Sequence, residues 1–266
     1  MSDTKMIMPK EHGMWAWVLL PLIVGIGSAT GPKVLGMPLL ISVILWFLAF
    51  TPARMIYKNA KKGIPQSDNV IKWCIRYSAL GLAFVYVSLS MQIRSLLVFA
   101  FFAPLFYFGV RASYAGYQRS FVFEITGIVF LSLLSFGGAL TVSGTLSQAD
   151  VAVWAVLLLF LIDRNLQARN AVRGGDWFGE EPPKASELRF VFRINIFIAL
   201  ASLLIASLLL EYFMMAKIYM AAFLPGFLAT GFFFMRPPTS VKSLGWMEVA
   251  VAVSYAIIFL YLKSTL

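Results

Sequence analysis

The sequence predicts an all-α, polytopic membrane protein, a helical bundle with nine transmembrane helices. Its composition is 60% hydrophobic and its mean hydropathy is +0.83, whereas soluble globular domains are roughly 45–50% apolar. Apolar runs long enough to cross a bilayer recur along the whole chain. Short polar segments separate these runs. We therefore expect residues 1–266 to form a single transmembrane domain.

Apolar runs between polar segments define the nine predicted spans. They cover residues 14–30, 35–51, 77–91, 95–110, 121–140, 151–162, 190–210, 213–235 and 244–262. The first run has the length of a signal-peptide core and small residues after it. Trp15, Trp17 and Pro21 within it, together with the spans that follow, favour a retained helix instead.

The basic residues predict the orientation of these spans. With the N-terminus in the cytoplasm, all of the 22 lysines and arginines fall in cytoplasmic segments except Lys33, Arg94, Lys217 and Lys263. Cytoplasmic loops of membrane proteins carry such an excess of positive charge. The sequence therefore predicts a C-terminus outside, and membrane topology accounts for the net charge of +10 without a nucleic-acid partner.

Cysteine and histidine are too scarce for several kinds of site. Cys74 is the single cysteine, which excludes an internal disulfide, and His12 is the single histidine. A haem or metal site with several histidines is therefore excluded, and the sequence predicts no metal-binding cluster.

A polar helix end follows the sixth predicted span. Its charged and amide residues are Asp163, Arg164, Asn165, Arg169 and Arg173. Spacings of three and four residues place Asp163 and Gln167 on one side of a continuing helix, and Asn165 and Arg169 on a neighbouring side. These side chains are predicted to face a common cavity where the helix meets water. The alternative is that these basic residues only fix the orientation of the helix in the membrane.

A second basic helix end follows the second predicted span, over residues 51–63. Arg54 and Lys58 recur there at helical spacing. Both polar helix ends lie on the predicted cytoplasmic side. Arginine supplies paired donors and lysine a point charge for phosphate groups, so the two ends together predict a cationic site for a phosphate or diphosphate head group. Binding of anionic lipids alone is the alternative.

Three residues are candidate acids or bases: His12, Glu124 and Asp163. Histidine titrates near neutral pH, and an ionisable group within an apolar span is costly and is expected to be functional or paired internally. Glu124 and Glu248 lie in such spans, although each is predicted within about one turn of the cytoplasmic interface. Asp163 adjoins Arg164, so an ion pair competes with a role in binding.

Three segments resemble the YwiC-like family of bacterial membrane proteins. They are PKEHGMWAWVLLPLIVGIG at 9–27, RSFVFEITGIVF at 119–130 and SLGWMEVAVAVSY at 243–255. The resemblance implies a multi-pass protein of the bacterial cytoplasmic membrane. It implies no activity, because the family is defined by its sequence.

A more distant resemblance is to the UbiA superfamily of intramembrane prenyltransferases. That superfamily has nine helices with the N-terminus inside, and its aspartate-rich motifs at the cytoplasmic ends of helices two and six hold Mg²⁺ against a prenyl diphosphate. The two polar helix ends of this chain fall at the same places. Segment 51–63 contains no acid, however, and the second end offers Asp163 and Asp176 among arginines. These departures argue against a Mg²⁺ cofactor and against prenyl transfer of the usual kind.

The leading hypothesis is a UbiA-like bundle whose cytoplasm-facing cationic cavity binds an isoprenoid phosphate or another anionic membrane lipid. Prenyl transfer is the first hypothesis if the protein is an enzyme. Two alternatives stay open: a permease or exporter of small molecules, and a non-catalytic membrane scaffold.

Overall fold

A computed structural model describes residues 6–7, 12–100, 104, 107, 121–173, 185–212, 217–235 and 241–265. These residues form helices joined by turns, with no strand among them, which confirms the all-α class. The helices are α1 (His12–Ser28), α2 (Met37–Lys61), α3 (Asp68–Met91), α4 (Phe121–Ser132), α5 (Leu134–Ser143), α6 (Gln148–Arg173), α7 (Ala185–Tyr212), α8 (Leu224–Met235) and α9 (Val241–Thr265). Short 3₁₀ turns occupy Lys33–Gly36, Ile93–Ser95 and Lys217–Phe223.

Among the described residues, five helical segments are long and apolar enough to cross a membrane. They are Lys33–Lys61, Asp68–Met91, Glu124–Ser143, Arg193–Glu211 and Lys242–Thr265. Two shorter apolar helices cover Trp17–Ser28 and Met220–Phe232. The chain is therefore a multi-pass membrane protein. The count of nine spans stays a prediction, because half of the fourth predicted span, 95–110, lies outside the described residues.

Helices α4 and α5 together form the fifth predicted span. The α-helix is interrupted at Leu133, and the Ser135 hydroxyl donates to the carbonyl of Ser132 across the interruption (2.8 Å). A side chain that bonds the backbone locally in this way competes with the regular helix ladder. Gly144 ends α5 with a φ of +73°, and its N–H donates to the Leu140 carbonyl (2.9 Å). This left-handed cap is the usual reason for glycine after a helix.

The eighth predicted span differs from the observed structure. We expected a helix over 213–235, whereas the described part begins with the 3₁₀ segment Lys217–Phe223 and becomes α-helical only at Leu224. Pro225 is the second residue of α8. Proline has no N–H to donate to the preceding turn, but it fits well at the start of a helix.

Helix α1 lies between two hydrophobic clusters. Leu20 and Val24 belong to a cluster shared with α4 and α6–α9, while Leu22 and Ile26 belong to a cluster shared with α2 and α5. All four side chains are at most 7% exposed. Two faces of α1 are therefore packed against other helices, while Ile23 on the remaining side is 37% exposed. The first span is thus the centre of the bundle.

Two glycines allow α1 and α5 to touch along their backbones. A Cβ atom added to Gly25 would lie 2.1 Å from the carbonyl oxygen of Ser135, and one added to Gly138 would lie 2.8 Å from the carbonyl oxygen of Leu22. Small residues at helix crossings in membranes permit this close approach. The crossing therefore depends on the absence of side chains at both positions.

The α1–α5 crossing makes Gly25→Ala a test of the packing. We expect this substitution to lower the free energy of unfolding by about 1–3 kcal/mol, because the backbones must separate to admit the methyl group. The matched control is Gly127→Ala in α4, where an added Cβ meets no atom within 4 Å. Titration with a denaturing detergent measures both variants, and equal stability of the two would contradict the proposed contact.

Candidate functional site

A buried ion pair joins α6 to α9. The Arg164 guanidinium donates from Nε to Glu248 Oε2 at 3.0 Å and from Nη2 to Glu248 Oε1 at 2.5 Å. The two side chains are 2% and 7% exposed. This fork-to-fork geometry gives both charges their strongest partner. Burial of such a pair is favourable only when the remaining donors are also satisfied.

The third nitrogen of Arg164 is satisfied by α6 and α8. Nη1 donates to the side-chain oxygen of Gln167 at 2.8 Å and to the Gly226 carbonyl at 3.1 Å. A Cβ at Gly226 would lie 3.3 Å from Arg164 Cδ, so a small residue there leaves room for the arginine stem. The Thr230 hydroxyl has one proton and lies within donating distance of either Gln167 Oε1 or the Gly226 carbonyl.

Asp163 completes a network that we call the polar cluster. Its members are Asp163, Arg164, Gln167, Ser202, Thr230 and Glu248. The Gln167 amide nitrogen donates to both carboxylate oxygens of Asp163 at 2.9 Å, and the Ser202 hydroxyl lies 3.4 Å from Oδ1. Arginine and threonine fix the amide oxygen of Gln167, so its NH₂ group must face Asp163.

The polar cluster contains more acid than base. Asp163 and Glu248 are 4% and 6% exposed, and Arg164 is the basic member of the cluster. The guanidinium donates its two parallel hydrogen bonds, from Nε and Nη2, to Glu248. Among the described residues, the side chains that donate to Asp163 are neutral. Within the part of the chain that the structure describes, the carboxyl group of Asp163 therefore accepts no hydrogen bond from a cationic side chain.

Asp163 is buried inside the bundle, with 4% of the residue exposed. The sequence predicts it where α6 meets water, and in the structure it lies against Ser202, which belongs to the candidate span Arg193–Glu211. The sequence leaves two roles open for Glu248: its side chain could reach water, or it could pair with another residue inside the protein. It pairs internally, with Arg164. An ionic cluster buried within a bundle of apolar helices is expensive and usually serves a function.

A small cavity adjoins the ion pair. Its walls are Trp17, Phe160, Leu161, Arg164, Glu248 and Ala252, and its volume of 10 Å³ is close to that of one water molecule. The Tyr255 ring stacks on Phe160 with 4.0 Å between ring centroids, and the Tyr255 hydroxyl is buried without a hydrogen-bond partner among the described residues. The cavity as it stands is too small for an isoprenoid chain.

The predicted phosphate-binding residues divide into two groups. Arg164 lies inside the polar cluster, where each of its three side-chain nitrogens donates to a protein acceptor. Arg54 is half-buried and Lys58 is exposed near the end of α2. Asn165 is half-buried, and its Nδ2 atom has no hydrogen-bond partner among the described residues.

Other predicted site residues are placed only in part. Glu124 is half-buried in the first turn of α4. The backbones of His12, Arg169 and Arg173 belong to α1 and α6, but their side chains lie outside the described residues. Of the predicted residues, the structure thus brings Asp163 and Arg164 into one site. A search of the described residues finds no group of three or more histidine, cysteine, aspartate or glutamate side chains suited to a metal ion.

Sequence reasoning missed Ser202, Thr230 and Gly226. A hydroxyl or a glycine within an apolar span is too common to indicate a site, since a hydroxyl can bond its own helix backbone. Gln167 could be found because it lies one helical turn after Asp163. The partner of Arg164, by contrast, is 84 residues away in sequence.

Comparison with known proteins identifies the family. Residues 8–139 match the family model described as YwiC-like protein. The chain is also similar to the "Uncharacterized protein YwiC" of Bacillus subtilis (strain 168), with 25% identity over 172 residues, which is 64% of this chain and 68% of the relative. No solved structure matches the chain significantly.

The ion pair predicts unequal costs for single and double substitutions. Arg164→Leu should lower the free energy of unfolding by about 3–5 kcal/mol, because Glu248 is left buried without its partner. The double variant Arg164→Leu/Glu248→Leu should cost clearly less, since neither charge then remains. Arg193→Leu, at an exposed arginine of α7, is the control and should change stability by roughly 0.5 kcal/mol or less. Titration with a denaturing detergent measures all three, and a double variant as unstable as the single one would refute the pairing argument.

Proposed function

The chain belongs to the YwiC-like family, and we propose that it is a permease for small solutes, with the polar cluster as its solute-handling centre. The observation that supports this proposal is the buried network of Asp163, Arg164 and Glu248 within apolar helices. Ionisable groups inside membrane spans are rare because they are costly, and they mark solute and proton pathways.

The arrangement of helices agrees with such a role. Side chains of the polar cluster come from α6, α7, α8 and α9, so a relative movement of any of these helices would change its hydrogen bonds. Discontinuous helices often line transport sites. The change from 3₁₀ to α-helix at Leu224 lies next to Gly226, whose carbonyl accepts from Arg164.

The charge of the polar cluster favours a cationic solute. With both carboxyl groups ionised, Asp163 and Glu248 outweigh Arg164 by one negative charge. A buried charge is stabilised by an opposite charge. A small cation close to Asp163 would supply that charge, whereas an anion would need to displace Glu248 from the guanidinium. We therefore assign the cargo to the class of small monovalent cations.

The proposal includes the membrane arrangement that the sequence predicts. It comprises nine spans, a cytoplasmic N-terminus and a location in the bacterial cytoplasmic membrane. In this arrangement α6 runs toward the cytoplasm and α7 runs back, which is consistent with the basic residues that follow Arg164.

Transport by purified protein in liposomes tests the permease proposal. We expect uptake of at least one of radiolabelled sodium, rubidium, guanidinium and methylammonium above that of empty liposomes. Glu248→Gln should abolish this uptake, because Asp163 then balances the charge of Arg164 and the cluster loses the excess negative charge that attracts a cation. Asp68→Asn, at an exposed acid in the first turn of α3, should retain it. Absence of uptake for every cation, or full uptake by Glu248→Gln, would contradict the proposal.

A second candidate is binding of an isoprenoid phosphate at the cytoplasmic helix ends. The basic end of α2 supports it, since Arg54 and the exposed Lys58 follow the apolar part of that helix. Arg169 and Arg173 at the end of α6 would complete the site, and a UbiA-like bundle would hold the lipid tail. Arg164 is better assigned to the polar cluster, because a phosphate would have to replace its protein acceptors.

Native mass spectrometry with lipid extraction tests this second candidate. If it is correct, wild-type protein should carry an isoprenoid phosphate that Arg54→Ala/Arg169→Ala loses, because two cationic donors are removed. Arg94→Ala, at an exposed arginine on the predicted outer side, is the control and should keep the lipid. Bulk phospholipid alone, unchanged in both variants, would count against this function.

A further inference from the structure

Building on the proposed cation permease, we propose that Asp163 is its proton-exchange site. Asp163 carries a proton while the site lacks a cation, and a monovalent cation binds there by displacing that proton. The proposal follows from the unequal partners of the two buried carboxyl groups.

Glu248 and Asp163 accept hydrogen bonds from different kinds of donor. Glu248 receives two hydrogen bonds from the Arg164 guanidinium, at 3.0 and 2.5 Å. Asp163 receives its hydrogen bonds from the Gln167 amide at 2.9 Å and from the Ser202 hydroxyl at 3.4 Å. Both of these donors are neutral. Glu248 is therefore the carboxylate that matches the charge of Arg164, and Asp163 is the one left over.

Because Asp163 is buried, we expect its carboxyl group to be ionised only when a cation is bound beside it. The side chain is 4% exposed, and an isolated buried carboxylate tends to neutralise by taking up a proton. Among the described residues, the other charged members of the polar cluster are Arg164 and Glu248, which bond each other. From α7 and α8 the cluster receives the uncharged hydroxyls of Ser202 and Thr230.

Gln167 holds Asp163 in position without supplying charge. Its oxygen accepts from Arg164 at 2.8 Å, which turns its NH₂ group toward Asp163. If the amide were reversed, its NH₂ group would face the NH₂ group of the guanidinium. The ion pair thus orients Gln167, and Gln167 orients the carboxyl group of Asp163.

The exchange step keeps both atoms and charge in balance. The O–H bond of Asp163 breaks, the proton passes to water, and the cation takes its place against the carboxylate oxygens. The Ser202 hydroxyl turns from donating a hydrogen bond to presenting its oxygen to the cation, because an oxygen atom can coordinate a hard metal cation or accept from an N–H donor. The net charge of the polar cluster is the same before and after the exchange.

Infrared spectroscopy on protein labelled with ¹³C-aspartate tests the proton directly. Without a transported cation, we expect an isotope-shifted band of a protonated carboxyl group at neutral pH. Asp163→Asn should lose this band, and Asp68→Asn should keep it. If Asp163→Asn does not fold, Asp163→Glu replaces it as the test variant. Its carboxyl group is retained but belongs to an unlabelled glutamate, so the isotope-shifted band should also disappear. A wild-type spectrum without the band would overturn the proposal.

Proton release on cation binding tests the exchange. Sodium, rubidium, guanidinium or methylammonium chloride is added to weakly buffered protein containing a pH-sensitive dye. We expect acidification with the cation that the liposomes take up, a weaker response in Ser202→Ala, and loss of the response in Asp163→Asn. Binding of that cation without acidification would overturn the proposal.

The two experiments separate failure of the exchange from failure of the permease. Uptake without a protonated Asp163 would leave a cation permease whose coupling residue lies elsewhere. A protonated Asp163 in a protein that takes up none of the four cations would overturn both the exchange and the permease.

Discussion

The bidentate contact between Arg164 and Glu248 is the interaction on which the candidate site depends. A guanidinium that is 2% exposed must find nearly all of its hydrogen-bond acceptors within the protein. Glu248 supplies the charge, and Gln167 and Gly226 supply the remaining acceptors. This requirement holds α6, α8 and α9 at one relative position. The ion pair also sets the orientation of Gln167, because Arg164 donates to the amide oxygen. The amide NH₂ group of Gln167 then positions the carboxyl group of Asp163.

Packing around α1 provides the frame for these polar contacts. Apolar side chains on two faces of α1 belong to the two hydrophobic clusters, and Gly25 and Gly138 bring α1 against α5 at backbone distance. Helices in a bilayer gain little from the hydrophobic effect when they associate, so close van der Waals packing must hold them together. The family match over residues 8–139 includes both glycines. The polar cluster, by contrast, lies entirely after that segment.

The functional proposals follow from a difference between two acids in one environment. Glu248 has a cationic partner, whereas Asp163 has neutral donors. Two carboxyl groups with such different surroundings are suited to different tasks, one structural and one exchangeable. A cationic surface for phosphate groups remains a separate hypothesis. It rests on residues at the ends of α2 and α6 and does not require the polar cluster.

The sequence by itself determined the membrane class, the helical architecture and the YwiC-like family, because hydropathy, helix length and motifs are properties of contiguous residues. It also placed Gln167 beside Asp163, since residues four apart share a helix face. Tertiary structure alone decided that Arg164 pairs with Glu248, 84 residues away, and that Ser202 lies against Asp163. Contacts between helices depend on the rotation and depth of each helix in the bundle, and no local spacing records them. For the same reason the sequence assigned Arg164 to a phosphate site at the membrane surface, whereas the packed bundle uses its donors internally.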